Sequence, residues 1–223
     1  MANSINLNMD FDKKIVIQTD QMDWQNSPSK LVFRKPLARA GQESGHATSI
    51  VKYLKGAKFK EHQHPNGEEI LVLDGTFSDE NGDYPKGTYI RNPHGTSHSP
   101  YSHEGCLLLV KLYQFQTTDK QQIVIDTNKA QWQQGIGRLQ VMHLHSHIHE
   151  HTALVKWPKN EIFQAHNHFG GEEIFVMNGQ FQDQFGMYPK GTWLRSPHNS
   201  QHKPFVEEET IIWVKTGHLM VQQ

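Results

Sequence analysis

The chain has 223 residues, a formal net charge of -1, 35% hydrophobic and 20% charged residues and a pI of about 7.0. That is enough chain for one large or two small domains with a proper core, and the balanced charge excludes a nucleic-acid footprint and a polybasic membrane patch. No apolar run reaches the roughly 18 residues of a membrane span, a lone cysteine excludes an intrachain disulfide and a Cys-rich zinc site, and 16 histidines stand out, with metal binding as the leading explanation.

The N-terminus opens no basic-then-apolar leader, so a cytoplasmic protein is expected. Along the chain, "IVIQTDQMDWQ" (15–25), "TSIVKY" (48–53), "EILVL" (69–73), "GTYIR" (87–91) and "LLLVKL" (107–112) read as short strands, with "DENGDYPKG" (79–87) as a turn cluster. The same series then recurs as "IVIDTNKAQWQ" (123–133), "TALVKW" (152–157) and "IIWVK" (211–215). A shift of 104 lays His166 on His62; from 62 to 100, 21 of 39 positions are identical without a gap. The first strand matches at a shift of 108. A repeat of this kind divides the chain at about residue 118, into 1–118 and 119–223, each a small-domain length. No stretch longer than ten residues carries clear helical periodicity, so an all-β fold is expected, a jelly roll in preference to an up-and-down barrel.

The first copy holds "EHQHPNGEEILVLDG" (61–75), the second "AHNHFGGEEIFVMNG" (165–179). Strand alternation sends His62 and His64 to one side. Glu68 joins them if Pro65-Asn66-Gly67 turns the chain back, and His98 arrives from a neighbouring strand through the "NPHGTSH" turn. Three neutral imidazoles and one carboxylate suit a borderline divalent ion. Of the adjacent glutamates, Glu68 and Glu172 share strand parity with Val72 and Val176, which favours them over Glu69 and Glu173.

Other features carry two readings each. "HLHSHIHEH" (143–151) has histidine at every second position, which reads as an accessory metal patch or, preferably, as a solvated edge-strand face. Arg91 and Arg195 precede the Pro-containing turns; they could meet an anionic substrate or anchor the loop to a carboxylate. Tyr84 and Tyr188 read as packing residues, Trp24 and Trp132 as covers for a barrel or an interface, and Cys106 as a buried strand residue.

These motifs, present twice, resemble the cupin superfamily, and "TSIVKYLKGAKFKEHQHPNGEEILVLDGTFSDENGDYPKGTYIRNPHGTSHSP" (48–100) is similar to the ChrR-type cupin domain. The resemblance spans nearly the whole chain. It implies two tandem cupin barrels. Each would hold one divalent transition metal (zinc, iron, manganese or nickel), through His62, His64, Glu68 and His98 and through His166, His168, Glu172 and His202. It leaves His94 and His198 as turn or supporting residues. Asn160 and Asn199 replace the motif glycines Gly56 and Gly95; Asn tolerates the left-handed region better than most residues, so both sites are expected to bind metal.

Three functions are then open: a metal-dependent dioxygenase-type enzyme acting on a small molecule, a small-molecule sensor, and a regulatory anti-sigma-factor relative. Against the last, about fifteen cysteine-free residues precede the first copy, where the resemblance implies a helical sigma-factor-binding domain. Monomer and homodimer are both compatible, since two cupins in one chain can mimic a dimer of single ones.

Overall fold

In the computed structural model, residues 6–41 and 44–219 are described. In chain order the first strands are β1 (Asn6–Leu7), β2 (Ile15–Gln18), β3 (Gln25–Asn26), β4 (Val32–Ala40), β5 (Ala47–Tyr53), β6 (His62–Gln63), β7 (Glu68–Asp79), β8 (Gly82–Pro85), β9 (Thr88–Asn92), β10 (Ser97–His98), β11 (Cys106–Leu112) and β12 (Ile123–Asp126). They are followed by β13 (Gln133–Gln134), β14 (Gln140–His147), β15 (Glu150–Trp157), β16 (His166–Asn167), β17 (Glu172–Asn178), β18 (Gln180–Asp183), β19 (Gly186–Pro189), β20 (Thr192–Ser196), β21 (Gln201–His202) and β22 (Thr210–Thr216). Among the described residues the only helical turn is the 3-10 segment Thr19–Gln21, and no helix is long and apolar enough to cross a membrane.

The first unit has the sheet order β1-β4-β5-β11-β7-β9-β12, with β3 beside β4, β8 beside β7, and a separate β6/β10 ladder. The second has β13-β14-β15-β22-β17-β20-β2, with β16/β21 and β18/β19 ladders. Beyond hairpins such as β4/β5 and β14/β15 the paths join strands far apart in sequence, β5 to β11 to β7 and β15 to β22 to β17, so each unit is a jelly-roll barrel and not an up-and-down one. Strand alternation fills each barrel: Ile70, Val72, Phe77, Ile90, Leu108 and Val110 form the first core, and Ile174, Val176, Phe181, Leu194 and Ile212 the second.

The units do not follow the repeat boundary. Of the described residues, 6–9 group with those from 22 to 130, and 10–21 group with 131–219. β2, which opens the first repeat, pairs with β20 (Ile15 opposite Arg195), and β12, which opens the second, pairs with β9 (Ile123 opposite Arg91). Each barrel therefore completes its sheet with a strand from the other repeat. When fragments 1–118 and 119–223 are co-expressed, the expected outcome is that they purify as one complex on a tag carried by either. Separate, independently folded fragments would contradict the exchange.

Candidate metal centre

The first cluster is assembled by the β6/β10 ladder, which sets His62 opposite His98. Beyond His64 the chain reverses through Asn66 (φ 58°) and Gly67 (φ 83°) and enters β7 at Glu68. His62, His64, Glu68 and His98 then offer ligand atoms that all lie within 4.8 Å of one another. His64 Nε2 and His98 Nε2 each stand 3.3 Å from Glu68 Oε2. Glu69 falls on the other face, where its Oε1 accepts the Tyr89 hydroxyl at 2.7 Å.

The outer edge of each ring determines what its inner edge offers. His62 Nδ1 lies 3.0 Å from Lys60 O, and His98 Nδ1 3.2 Å from Asp79 Oδ2. A carbonyl or carboxylate oxygen only accepts, so both Nδ1 atoms carry the proton. His64 Nδ1 lies 2.8 Å from Thr96 Oγ1, whose own proton goes to Pro93 O at 2.7 Å; Nδ1 is again the donor. All three Nε2 lone pairs are left for the cluster. Asn92 Nδ2 donates to Glu68 Oε2 at 3.1 Å and orients the carboxylate. His64 Nε2 and His98 Nε2 are buried without a hydrogen-bond donor. Buried polar atoms rarely stay unsatisfied, and a divalent cation among them would satisfy both, so the donor set fits a metal.

The second cluster repeats the arrangement through His166, His168, Glu172 and His202, more loosely. Glu172 Oε2 is 3.5 Å from His168 Nε2 and 3.8 Å from His202 Nε2. His166 Nδ1 donates to Gln164 O and His202 Nδ1 faces Asp183 at 3.4 Å. Ser200 and Ser196 stand where Thr96 and Asn92 do, and the Ser200 hydroxyl makes no hydrogen bond. Lys14 Nζ, brought by the exchanged N-terminal segment, reaches Asp183 Oδ2 at 3.3 Å.

Burial shifts these groups in opposite senses, keeping the imidazoles neutral and raising a carboxyl. It holds the His64 imidazole below its ordinary value against the opposing pull of Glu68. Burial, then the neighbouring His202 and His166, lowers His168 to about 3. The Glu172 carboxyl is pushed up to about 7 by burial. Burial also pushes Asp183 upward, but hydrogen bonds from His202 and Tyr188 outweigh it and keep the carboxylate ionised.

Arg91 and Arg195 do not face the clusters. Arg91 pairs with Asp119 and Glu69 and stacks on Phe115, 3.7 Å from the ring centre. Arg195 donates to Asp10 O at 3.0 Å and lies over Phe11. The substrate-binding reading of this pair gives way to the loop-anchor reading, because both share the strand face of Glu69 and Glu173. His94 is exposed, and His198 Nδ1 accepts the Gly170 N–H. The 143–151 stretch is not one edge strand. It is the β14/β15 hairpin, bulged between His143 and His145; the bulge breaks the alternation and buries His145 at 6% exposure. Asn160 and Asn199 take the left-handed conformation of the glycines they replace. Burial raises the Cys106 thiol to about 11, consistent with an inert strand residue.

Asp79 and Asp183 escape a reading confined to ligand types, although their identity across the repeat and the Tyr84 and Tyr188 hydroxyls donated to them mark them as a pair. Each follows a glycine in the left-handed conformation, Gly75 (φ 69°) and Gly179 (φ 73°). A Cβ there would meet Gly105 O at 2.1 Å or Glu209 O at 2.4 Å.

The barrels differ in the space beside the cluster. In the first, a cavity of about 670 Å³ reaches His62, His64, Glu68 and His98 between Tyr53, Phe59, Ile70 and Leu108, with Arg34 and Arg39 in its wall. In the second the corresponding cavity is about 200 Å³ and is walled by Leu139, Val141, Trp157 and Phe163.

A ChrR cupin-like domain model matches residues 12–116 and again 120–220. No curated protein matches the chain by sequence. Among solved structures, a candidate dioxygenase of Nostoc punctiforme superposes with a TM-score of 0.76 at 15% identity, covering 95% of this chain and 85% of its own. Ylba of Escherichia coli gives 0.73 at 12% identity, over 99% and 96%. The E. coli pirin YhhW, solved with nickel(II), gives 0.67 at 14% identity, over 93% and 100%. At these identities the likeness is one of fold.

Elemental analysis of untagged protein should give about two divalent ions per chain, falling to about one in H62A/H64A and, separately, in H166A/H168A. D79N should weaken metal affinity at the first cluster about 10- to 100-fold, measured by competition with a chromophoric chelator. In H62A/H64A, the remaining cluster should lose zinc affinity as the pH falls through 7, because Glu172 takes up the proton that the metal must displace. Calorimetry in buffers of different ionisation enthalpy reads that proton; constant affinity between pH 6 and 8 would contradict it.

Proposed function

Because the chain belongs to the ChrR cupin-like domain family, matched over both halves, we propose that it is a two-site metalloprotein whose first barrel is an enzyme of the non-haem metal dioxygenase type acting on a small organic molecule. The observation that carries this reading is the 670 Å³ cavity, which opens on the first cluster and is more than three times the size of its counterpart. Four protein ligands leave coordination positions free for exogenous molecules, and ligand pockets fall in this size range. The name of one structural neighbour, a candidate dioxygenase, and the nickel(II) bound to another agree with it.

A divalent ion bound there would act as Lewis acid and as template for substrate and oxygen. The chain's own part is positioning. Lys60 O, Thr96 and Asp79 hold the three imidazoles in the ligating tautomer. Asn92 fixes the Glu68 carboxylate. Phe59, Ile70 and Leu108 exclude water and seat an apolar body beside the cluster. In the second barrel the smaller cavity, about 200 Å³, favours a structural reading over turnover of a substrate as large as the first barrel's.

The test is oxygen uptake by iron(II)-loaded protein with β-diketones and hydroxyacetophenones. Turnover is expected with at least one class, lost in H98A and retained in H202A. Metal-loaded protein that consumes no oxygen with any of them would contradict the enzymatic reading.

A further inference from the structure

The two barrels are a controlled comparison, since one fold is written twice with different walls. The registers of β4 on β5 and of β14 on β15 align them strand by strand. Arg34 lies opposite Val51, and Val141 opposite Val155; Val51 and Val155 are repeat equivalents. Arg39 lies opposite Ala47 and Ser146 opposite His151, again an equivalent pair. The second barrel thus carries valine and serine where the first carries two arginines. Much of the remaining wall is kept: Phe59 and Phe163, Leu108 and Ile212, Val110 and Val214.

Both arginines line the first cavity for a reason visible in β4. Val32 and Arg34 face inward by alternation. The register slips between Pro36 and Ala38, and the slip moves Arg39 onto the same side. Arg39 is only 8% exposed. Setting guanidinium groups into a largely apolar wall has a desolvation cost, and the second barrel demonstrates that the fold does not need them. A guanidinium has five donors in a planar fork, and its natural complement is a carboxylate.

We propose that the first cavity takes a small organic acid, its carboxylate recognised by Arg34 and Arg39 and its apolar body seated against Phe59, Ile70 and Leu108. The inference deepens the reading of that cavity as a substrate site and rests on it only for the ligand's being turned over; recognition of the anion does not require the metal. It specifies charge and polarity: a carboxylate with an apolar remainder small enough for about 670 Å³.

The test is isothermal titration calorimetry on metal-loaded and metal-free full-length protein, with carboxylates of graded size (benzoate, phenylacetate, 3-phenylpropanoate, phenylpyruvate) and the matching neutral amides. At least one acid is expected to bind at one per chain, about 10- to 100-fold tighter than its amide, as loss of a charge-assisted contact implies. R34Q and R39Q should each reduce the acid's affinity about tenfold or more and leave the amide unchanged, while H166A/H168A leaves both unchanged. Arg34 is half-buried, so R34Q keeps the test alive if R39Q fails to fold. Equal binding of acids and amides, no binding by any acid, or acid affinity unmoved in folded R34Q would overturn the proposal. Acid binding without oxygen uptake would sink the enzymatic reading alone; oxygen uptake on neutral diketones without acid preference would sink this one alone.

Discussion

Three imidazole rings can present lone pairs to one point only if each gives its proton-bearing nitrogen to something else. That constraint organises the first barrel. A carbonyl, a hydroxyl already committed to another carbonyl, and a carboxylate take the three Nδ1 protons, and each is delivered by a different piece of fold: the approach to β6, the Pro93–Thr96 turn, and the end of β7. Burial adds to it, since an imidazole shielded from water resists protonation and stays a ligand. A metal completes what the outer bonds prepare.

The second barrel shows the same plan with less support. Serine replaces the threonine and the asparagine that steady the first cluster, the histidine–glutamate distances are longer, and Lys14 shares the carboxylate behind His202. Its cavity is smaller, about 200 Å³ against about 670 Å³, and the two halves differ in their walls more than in their candidate ligands.

Much of this was legible in the sequence. The repetition at 104 residues is plain in the sequence, alternation puts His62 with His64 and separates Glu68 from Glu69, and the full four-ligand set is what the family resemblance implies. The strand exchange did not show, because "IVIQ" and "IVID" are nearly the same strand and β9 and β20 nearly the same edge; no local property tells which edge takes which strand. Arg34 and Arg39 were hidden by the irregularity in β4, which puts residues of different parity on one face, and Arg91 drew attention through its place near the motif although its strand parity sends it outward. The histidine run from 143 to 151 misled because a hairpin turn and a bulge interrupt the alternation that its spacing suggests.

We propose that the first barrel holds a metal on three imidazoles and a carboxylate, with open positions facing a substrate cavity. X-ray absorption at the metal edge, on H166A/H168A protein loaded with one equivalent of zinc, tests it most directly. About three nitrogen ligands near 2.0–2.1 Å are expected, with oxygen ligands that change when a cavity ligand is added. A shell of oxygen alone, or one indifferent to every added ligand, would contradict it.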